Sequence, residues 1–142
     1  MMLILVGAAI AWASSQVMKV LLSLARVGAS DIARIRWRLV WAGGMPSSHA
    51  AVVSATVVLV GVQEGMRSPI FAVTFVLAAI VVYDRAKLYH MYDVFRRQFP
   101  VLSTAVAADP VLQDLVGHTP LQVLAGAAVG IAAALAFWVT QH

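Results

Sequence analysis

The chain has 142 residues, of which 62% are hydrophobic and only 11% are charged, and its mean hydropathy is +0.90. A soluble domain carries about a quarter charged residues, so this composition excludes an ordinary water-soluble domain and indicates that lipid surrounds most of the chain. The net charge of +4 favours a membrane surface or anionic headgroups over nucleic acid as partner. The length fits one domain over residues 1–142, and the lack of cysteine excludes disulfides and thiolate metal sites.

Four apolar runs predict membrane helices. The first continues past two serines and has no basic segment before it, so we expect a retained transmembrane helix rather than a signal peptide. A proline marks the starts of the third and fourth helices, where its missing N–H has no helical partner to lose. The predicted helices run from Leu3 to Ala25, from Ser47 to about Val62, from Pro69 to Tyr83, and from Thr119 to about Trp138.

The segment RAKLYHMYDVFRRQFP, between the third and fourth helices, has the pattern of an amphipathic helix. Its apolar stripe consists of Leu88, Met91, Tyr92, Phe95 and Phe99, and its opposite arc carries Arg85, His90, Asp93, Arg96 and Arg97. Such a helix lies at the membrane interface or over the mouth of a bundle. The predicted fold class is therefore all-α, an integral membrane helical bundle with about four transmembrane helices and one amphipathic interfacial helix.

Basic residues predict the orientation of the bundle. They collect in two loops, with Arg26, Arg34, Arg36 and Arg38 before the second helix and Arg85, Lys87, Arg96 and Arg97 after the third. Four crossings place both loops on the same side, which the positive-inside rule assigns to the cytoplasm. We expect the plasma membrane of a prokaryote, with the polar site on its cytoplasmic face.

The string GGMPSSHA, at residues 43–50, stands at the start of the second helix. Gly44 allows the backbone to approach a ligand closely. Ser47 and Ser48 offer hydroxyl groups beside the unpaired N–H groups of a helix start, which form a ready anion site. His49 can transfer a proton near neutral pH. Together these groups suit a phosphate; the simpler alternative is that Ser47 only caps the helix.

The string GHTPLQVLAGAAVG, at residues 117–130, opens the fourth helix. Thr119 and Gln122 have the spacing of a capping box, which needs no function. Gly126 and Gly130 form a GxxxG face, which is typical of helix packing and would also suit a homodimer. Capping does not explain His118, which is either a functional group or a solvated side chain at a helix entrance.

Polar residues inside the first helix are also candidates. Gln16 and Lys19 lie three residues apart and share one helix face. An ionisable residue in an apolar helix indicates function, although Lys19 is close enough to the helix end to snorkel to the surface instead. Arginine suits bidentate phosphate contacts, and the sequence leaves open which of several makes one: Arg34, Arg36, Arg38 or Arg85.

These strings resemble a known family. MPSSHA and GHTPLQVLAGAAVG look like the second and third signature motifs of the type 2 phosphatidic acid phosphatase superfamily, which includes the vanadium haloperoxidases. GGMPSSHA, the EG…SP turn at Glu64–Pro69, the Tyr83–Asp84 pair and GHTP more closely resemble its small divergent membrane branch. The resemblance spans the chain from Gln16 to about Gly130.

The resemblance implies roles for individual residues. His118 would be the nucleophile that forms a phosphohistidine, and His49 the general acid that protonates the leaving oxygen. The remaining positions divide into phosphate ligands, namely Lys19, Gly44, Ser47, Ser48, Arg96 and Arg97, and supporting residues, namely Gln16, Asp84, Thr119 and Gln122. This chemistry requires no metal and no cofactor.

The chain departs from the superfamily pattern at two places. The superfamily has an acidic residue four positions after the nucleophile, where this chain has Gln122, and an amide cannot stabilise the imidazolium charge. The third-motif arginine is replaced by Leu112, so Arg96 and Arg97 are the expected substitutes, and a partial match keeps His90 in consideration.

The predicted function is metal-independent hydrolysis of a phospholipid or polyprenyl phosphate or diphosphate in the membrane, through a phosphohistidine. The alternative is a non-catalytic membrane protein that binds phosphate or anionic lipid and descends from the same fold. A purely structural bundle would leave the polar residues unexplained.

Overall fold

A computed structural model of the protein describes residues 2–27, 44–101, 104, 106 and 118–141. Within these ranges the chain forms helices and no strand, which confirms the predicted all-α bundle. The helices are α1 (Met2–Val27), α2 (Ser48–Glu64), α3 (Pro69–Gln98) and α4 (Pro120–Thr140). The candidate arginines of the first basic loop, Arg34, Arg36 and Arg38, lie outside the described residues.

Three of these helices, α1, α3 and α4, are long and apolar enough to cross a membrane. The fourth, α2, is apolar but has only 17 residues, or about 26 Å at 1.5 Å per residue. This is slightly less than the roughly 30 Å hydrocarbon core of a bilayer. The protein is therefore an integral membrane bundle in which the shortest helix carries the GGMPSSHA string at its start.

The core lies where α2 packs against α1 and α4. The facing surfaces carry small residues four positions apart, so the helices approach closely and gain van der Waals contact. A methyl group on Gly126 would overlap the carbonyl oxygen of Ser47, and one on Gly130 would overlap that of Ala51. The GxxxG face considered for a homodimer is therefore buried between α4 and α2 of the same chain.

The buried stripe of α1 changes character along the helix. It consists of residues four apart, which lie along one ridge of a helix: Gly7, Ala11, Ser15, Lys19 and Ser23. The first part is apolar, and Ala11 joins a core cluster with Ala55, Leu59 and Ala134. The later part is polar and faces the end of the bundle where α2 and α4 begin.

The amphipathic segment is not a separate helix. It continues α3 without interruption to Gln98, so this helix has 30 residues and a length of about 45 Å. The sequence between Ile70 and Gln98 contains no proline or glycine to break the helix, and Pro100 follows its end. Ala78 is the one buried residue in α3, which packs mainly on α2 and exposes most of its surface.

Candidate functional site

A buried lysine connects α1 with the start of α2. Lys19 is only 3% exposed, and its Nζ donates a hydrogen bond to Ser48 Oγ at 2.5 Å. The Ser48 hydroxyl in turn donates to Gln16 Oε1 at 3.2 Å. Lys19 therefore points into the bundle rather than snorkelling, and the residue pair predicted on one face of α1 shares a single polar cluster with Ser48.

The two serines at the start of α2 have different contacts. Ser47 is the N-cap, and its Oγ accepts a hydrogen bond from the Ala50 N–H at 3.4 Å. Its own N–H donates to the carbonyl oxygen of Gln122 at 3.0 Å, which ties α2 to α4. Ser47 thus has the capping role of the simpler alternative, whereas Ser48 faces Lys19. Nearby, Gly44 has φ of +90°, a left-handed conformation that favours glycine.

The two histidines lie at the starts of neighbouring helices. His118 is 4% exposed and precedes α4, whereas His49 is exposed in the first turn of α2. Their ring centroids are 6.3 Å apart, with the planes tilted by 50°. The main-chain N–H of His118 donates to the carbonyl oxygen of Arg85 at 3.2 Å, so α3 also contacts this site.

The environment of His118 keeps its ring neutral. Burial lowers the pKa of His118 to about 4, the positive charge of Lys19 adds to this shift, and the Gln122 side chain opposes it only in part. Its Nδ1 is buried and has no hydrogen-bond partner among the described residues. A neutral imidazole keeps one nitrogen lone pair, which a nucleophile requires.

The structure brings Arg85 to the site, although the sequence favoured other arginines. The Arg85 carbonyl oxygen holds the backbone of His118, and its guanidinium charge contributes to the low pKa of that residue. Its Nε is buried without a hydrogen-bond partner in the described part of the chain. The sequence signal that could have pointed to Arg85 is its position directly after the Tyr83–Asp84 pair.

Arg96 and Arg97 are not at the site. Both are exposed and form ion pairs with Asp93, at 3.0 and 2.7 Å. Arg96 is 11 residues beyond Arg85 in the same helix, so its backbone lies about 17 Å farther along the axis. These contacts are typical of a solvated helix end. They arise because the predicted separate helix is in fact the last part of α3, which extends away from the site.

Of the remaining predicted residues, two form a helix cap and two are exposed on α3. Thr119 and Gln122 form the predicted capping box: the Gln122 Oε1 accepts from the Thr119 N–H at 2.9 Å, and the Thr119 Oγ1 accepts from the Gln122 N–H at 3.2 Å. Asp84 and His90 are exposed on α3. Within the described ranges, no group of three histidine or acidic side chains could hold a metal ion.

An apolar groove begins beside His49. It has a volume of about 250 Å³ and is lined by Trp12 of α1, by Ser48, His49, Val52 and Val53 of α2, and by Val81 of α3. Its two polar residues lie together at the start of α2, and its other lining residues are apolar. The groove therefore leads from the polar site along the bundle.

Comparison with known proteins identifies the family of this chain. A family model described as the divergent PAP2 family matches residues 2–133, which include both histidines and most of α4. The uncharacterized membrane protein YuiD of Bacillus subtilis (strain 168) is 30% identical over 115 residues, which cover 69% of this chain and 73% of that protein. No solved structure matches the chain. Since the family model covers nearly every described residue and the site, the chain belongs to the divergent PAP2 family.

Proposed function

We propose that this protein is a metal-independent phosphatase that hydrolyses a lipid phosphate or diphosphate through a phosphohistidine on His118. The observation that carries the proposal is the convergence of Lys19, Ser48, His49 and His118 at one end of the bundle. These residues come from α1, α2 and the start of α4. A structural bundle has no need of a buried lysine and two histidines in the same place.

The proposed reaction has two steps. A ring nitrogen of neutral His118 attacks phosphorus, and the bond to the leaving oxygen breaks as His49 donates a proton to that oxygen. Water then attacks the phosphohistidine and gives its proton to His49, which releases phosphate and restores both rings. The ring centroids are 6.3 Å apart, so a phosphoryl group bound at this end of the bundle would lie beside both rings.

The groups around the histidines would stabilise the negative charge of the phosphoryl group. The Lys19 ammonium and the Ser48 hydroxyl are hydrogen-bonded to each other, so a phosphate oxygen beside Ser48 would meet both. The start of α2 adds unpaired N–H groups and the positive end of the helix dipole. Fixed donors of this kind stabilise the charge on a transferring phosphoryl group.

The apolar groove supports a lipid rather than a soluble substrate. Its volume of about 250 Å³ is too small for an entire lipid but suits a segment of hydrocarbon chain. A phosphate held beside His49 and Ser48 would place such a chain against Val52, Val53 and Trp12. We further propose that the site faces the cytoplasm in the plasma membrane of a prokaryote, as the basic residues between α1 and α2 and in the second half of α3 indicate.

A second candidate function rests on the surroundings of His118. In the part of the chain that the structure describes, the Nδ1 of His118 has no hydrogen-bond partner. Gln122 stands where the superfamily has an acidic residue, and its side chain takes part in the capping box. Among the described residues, no carboxylate therefore accepts a hydrogen bond from His118 Nδ1 to stabilise the imidazolium form. This favours a non-catalytic protein that binds phosphate or anionic lipid.

Phosphate release from purified protein tests the proposal. The substrates are phosphatidic acid, phosphatidylglycerophosphate and a polyprenyl diphosphate, with chelator present and no added metal. We expect the wild type to release phosphate and His118→Ala to lose at least about 1,000-fold in rate. His90→Ala is the matched control, because His90 is exposed on α3 and should leave the rate unchanged.

Rapid quenching with ³²P-labelled substrate tests the intermediate. Wild type should carry a label that is stable in base and lost in acid, and His118→Ala should carry none. Equal rates in wild type and His118→Ala would contradict the assigned nucleophile. No release from any lipid, with orthovanadate still bound, would favour the non-catalytic function.

A further inference from the structure

We infer that Arg85 is the arginine that binds the phosphate in this protein, in the role predicted for Arg96 and Arg97. The inference rests on the proposed phosphate site. It adds α3 to the elements that would contact the ligand, which are α1, α2 and the start of α4.

Backbone contact fixes the position of Arg85. Its carbonyl oxygen accepts the N–H of His118 at 3.2 Å, so the start of its side chain lies beside the nucleophile. This bond uses main-chain atoms only, and it persists whatever side chain residue 85 carries. Replacing the side chain therefore leaves this main-chain contact between α3 and the start of α4 available.

The guanidinium group of Arg85 has one donor without a protein acceptor in the described part of the chain. The Nε of Arg85 is buried and has no hydrogen-bond partner within the described residues. A buried donor without a partner costs free energy. The acidic residue on the same arc of α3, Asp93, is already paired with both Arg96 and Arg97. An anion between Arg85 and the histidines would supply the missing acceptor.

The chemistry of the cation fits a phosphoryl group. A planar guanidinium can donate two parallel hydrogen bonds to two phosphate oxygens, whereas an ammonium acts as a point charge. Lys19 already binds the Ser48 hydroxyl on one side of the site. Arg85 would contact the remaining oxygens from the α3 side and leave phosphorus open to attack by His118.

Direct binding of orthovanadate tests this role without turnover. We expect Arg85→Gln to weaken binding about 10- to 100-fold relative to wild type, the range of one or two charge-assisted hydrogen bonds. Arg96→Gln is the matched control, since it removes an exposed guanidinium from the same helix, and should bind like wild type. Titration calorimetry or ⁵¹V NMR on detergent-solubilised protein would measure both.

Chemical rescue separates a ligand from a structural residue. Guanidinium ion at low millimolar concentration should restore vanadate binding to Arg85→Ala, but not to Lys19→Met. Wild-type affinity in Arg85→Gln would overturn the inference and leave the proposed function standing. Weakened binding in Arg85→Gln with no hydrolysis by wild type would support the inference while the phosphatase proposal fails. No vanadate binding by wild type would overturn both.

Discussion

At the scale of single residues, the feature that most supports the proposed site is the buried ammonium of Lys19. Removing a charge from water is costly, and a folded protein bears this cost only when partners or a ligand compensate. Ser48 is a neutral partner, with Gln16 behind it. A group that lowers stability but suits an anion is typical of a binding site rather than of a core.

Replacing Lys19 should separate activity from stability. Lys19→Met keeps the shape of an unbranched side chain but removes the charge, so kcat/KM for a lipid phosphate should fall at least about 100-fold. The thermal unfolding temperature in detergent should stay the same or rise, because a buried charge is gone. Lys87→Met is the control, since Lys87 is exposed on α3. A large drop in unfolding temperature would instead show that Lys19 is a structural residue.

Contacts between residues close in sequence could be predicted from the sequence, and contacts between residues far apart in sequence could not. The capping box of Thr119 and Gln122 was predictable because its partners are three residues apart. The different roles of Ser47 and Ser48 were not, since the Lys19–Ser48 contact joins residues 29 positions apart. Both serines have the local features of a cap, and only the packing of α1 on α2 separates them.

At the scale of helices, the prediction that was wrong was the end of α3, which continues to Gln98 instead of stopping before a separate amphipathic helix. Hydrophobic periodicity shows which face of a segment is apolar, but not whether the segment is joined to the helix before it. With an interfacial helix folded over the bundle, Arg96 and Arg97 could reach the site. In the continuous helix Arg96 lies about 17 Å along the axis beyond Arg85, whereas Arg85 lies beside His118.

The close packing of α4 on α2 gives a prediction about stability. Gly130→Ala places a methyl group against the carbonyl oxygen of Ala51, and backbone cannot move aside as a flexible side chain can. We expect a loss of about 1–3 kcal/mol in the free energy of unfolding. Reversible unfolding in mixed detergent micelles would measure it.

The control for this prediction is Ala128→Val, which adds a larger group to an exposed position of the same helix. This variant should unfold like wild type. Equal stability of Gly130→Ala and wild type would mean that α2 and α4 can separate at no cost.

At the scale of the whole molecule, the bundle has a polar end and an opposite end. The polar end contains the starts of α2 and α4, and the opposite end contains the turn between α2 and α3. The length of α3, about 45 Å, carries the chain from one side of a bilayer to the other. One labelled position at each end of α3 therefore reports the orientation of the site.

Cysteine labelling can test the proposed orientation cleanly, because the chain has no cysteine of its own. Met66, in the turn before α3, is 78% exposed, and Gln98 is exposed at the other end of α3. In intact bacterial cells, a membrane-impermeant maleimide should label Met66→Cys and should label Gln98→Cys only after permeabilisation. The reverse pattern would place the site on the outer face.

The hydrogen bond from the Ser47 N–H to the Gln122 carbonyl oxygen has a consequence for how this protein can change over evolutionary time. His49 is two residues from one end of that bond and His118 is four from the other, so peptide groups set the spacing of the rings. Side chains that face lipid can therefore be exchanged widely without altering that spacing. Gly126 cannot be exchanged in this way, because any larger residue would push against the Ser47 backbone and move one histidine ring away from the other. We therefore expect substitutions to accumulate freely on the lipid-facing surface of the bundle and to be nearly absent at Gly126, where α4 crosses α2.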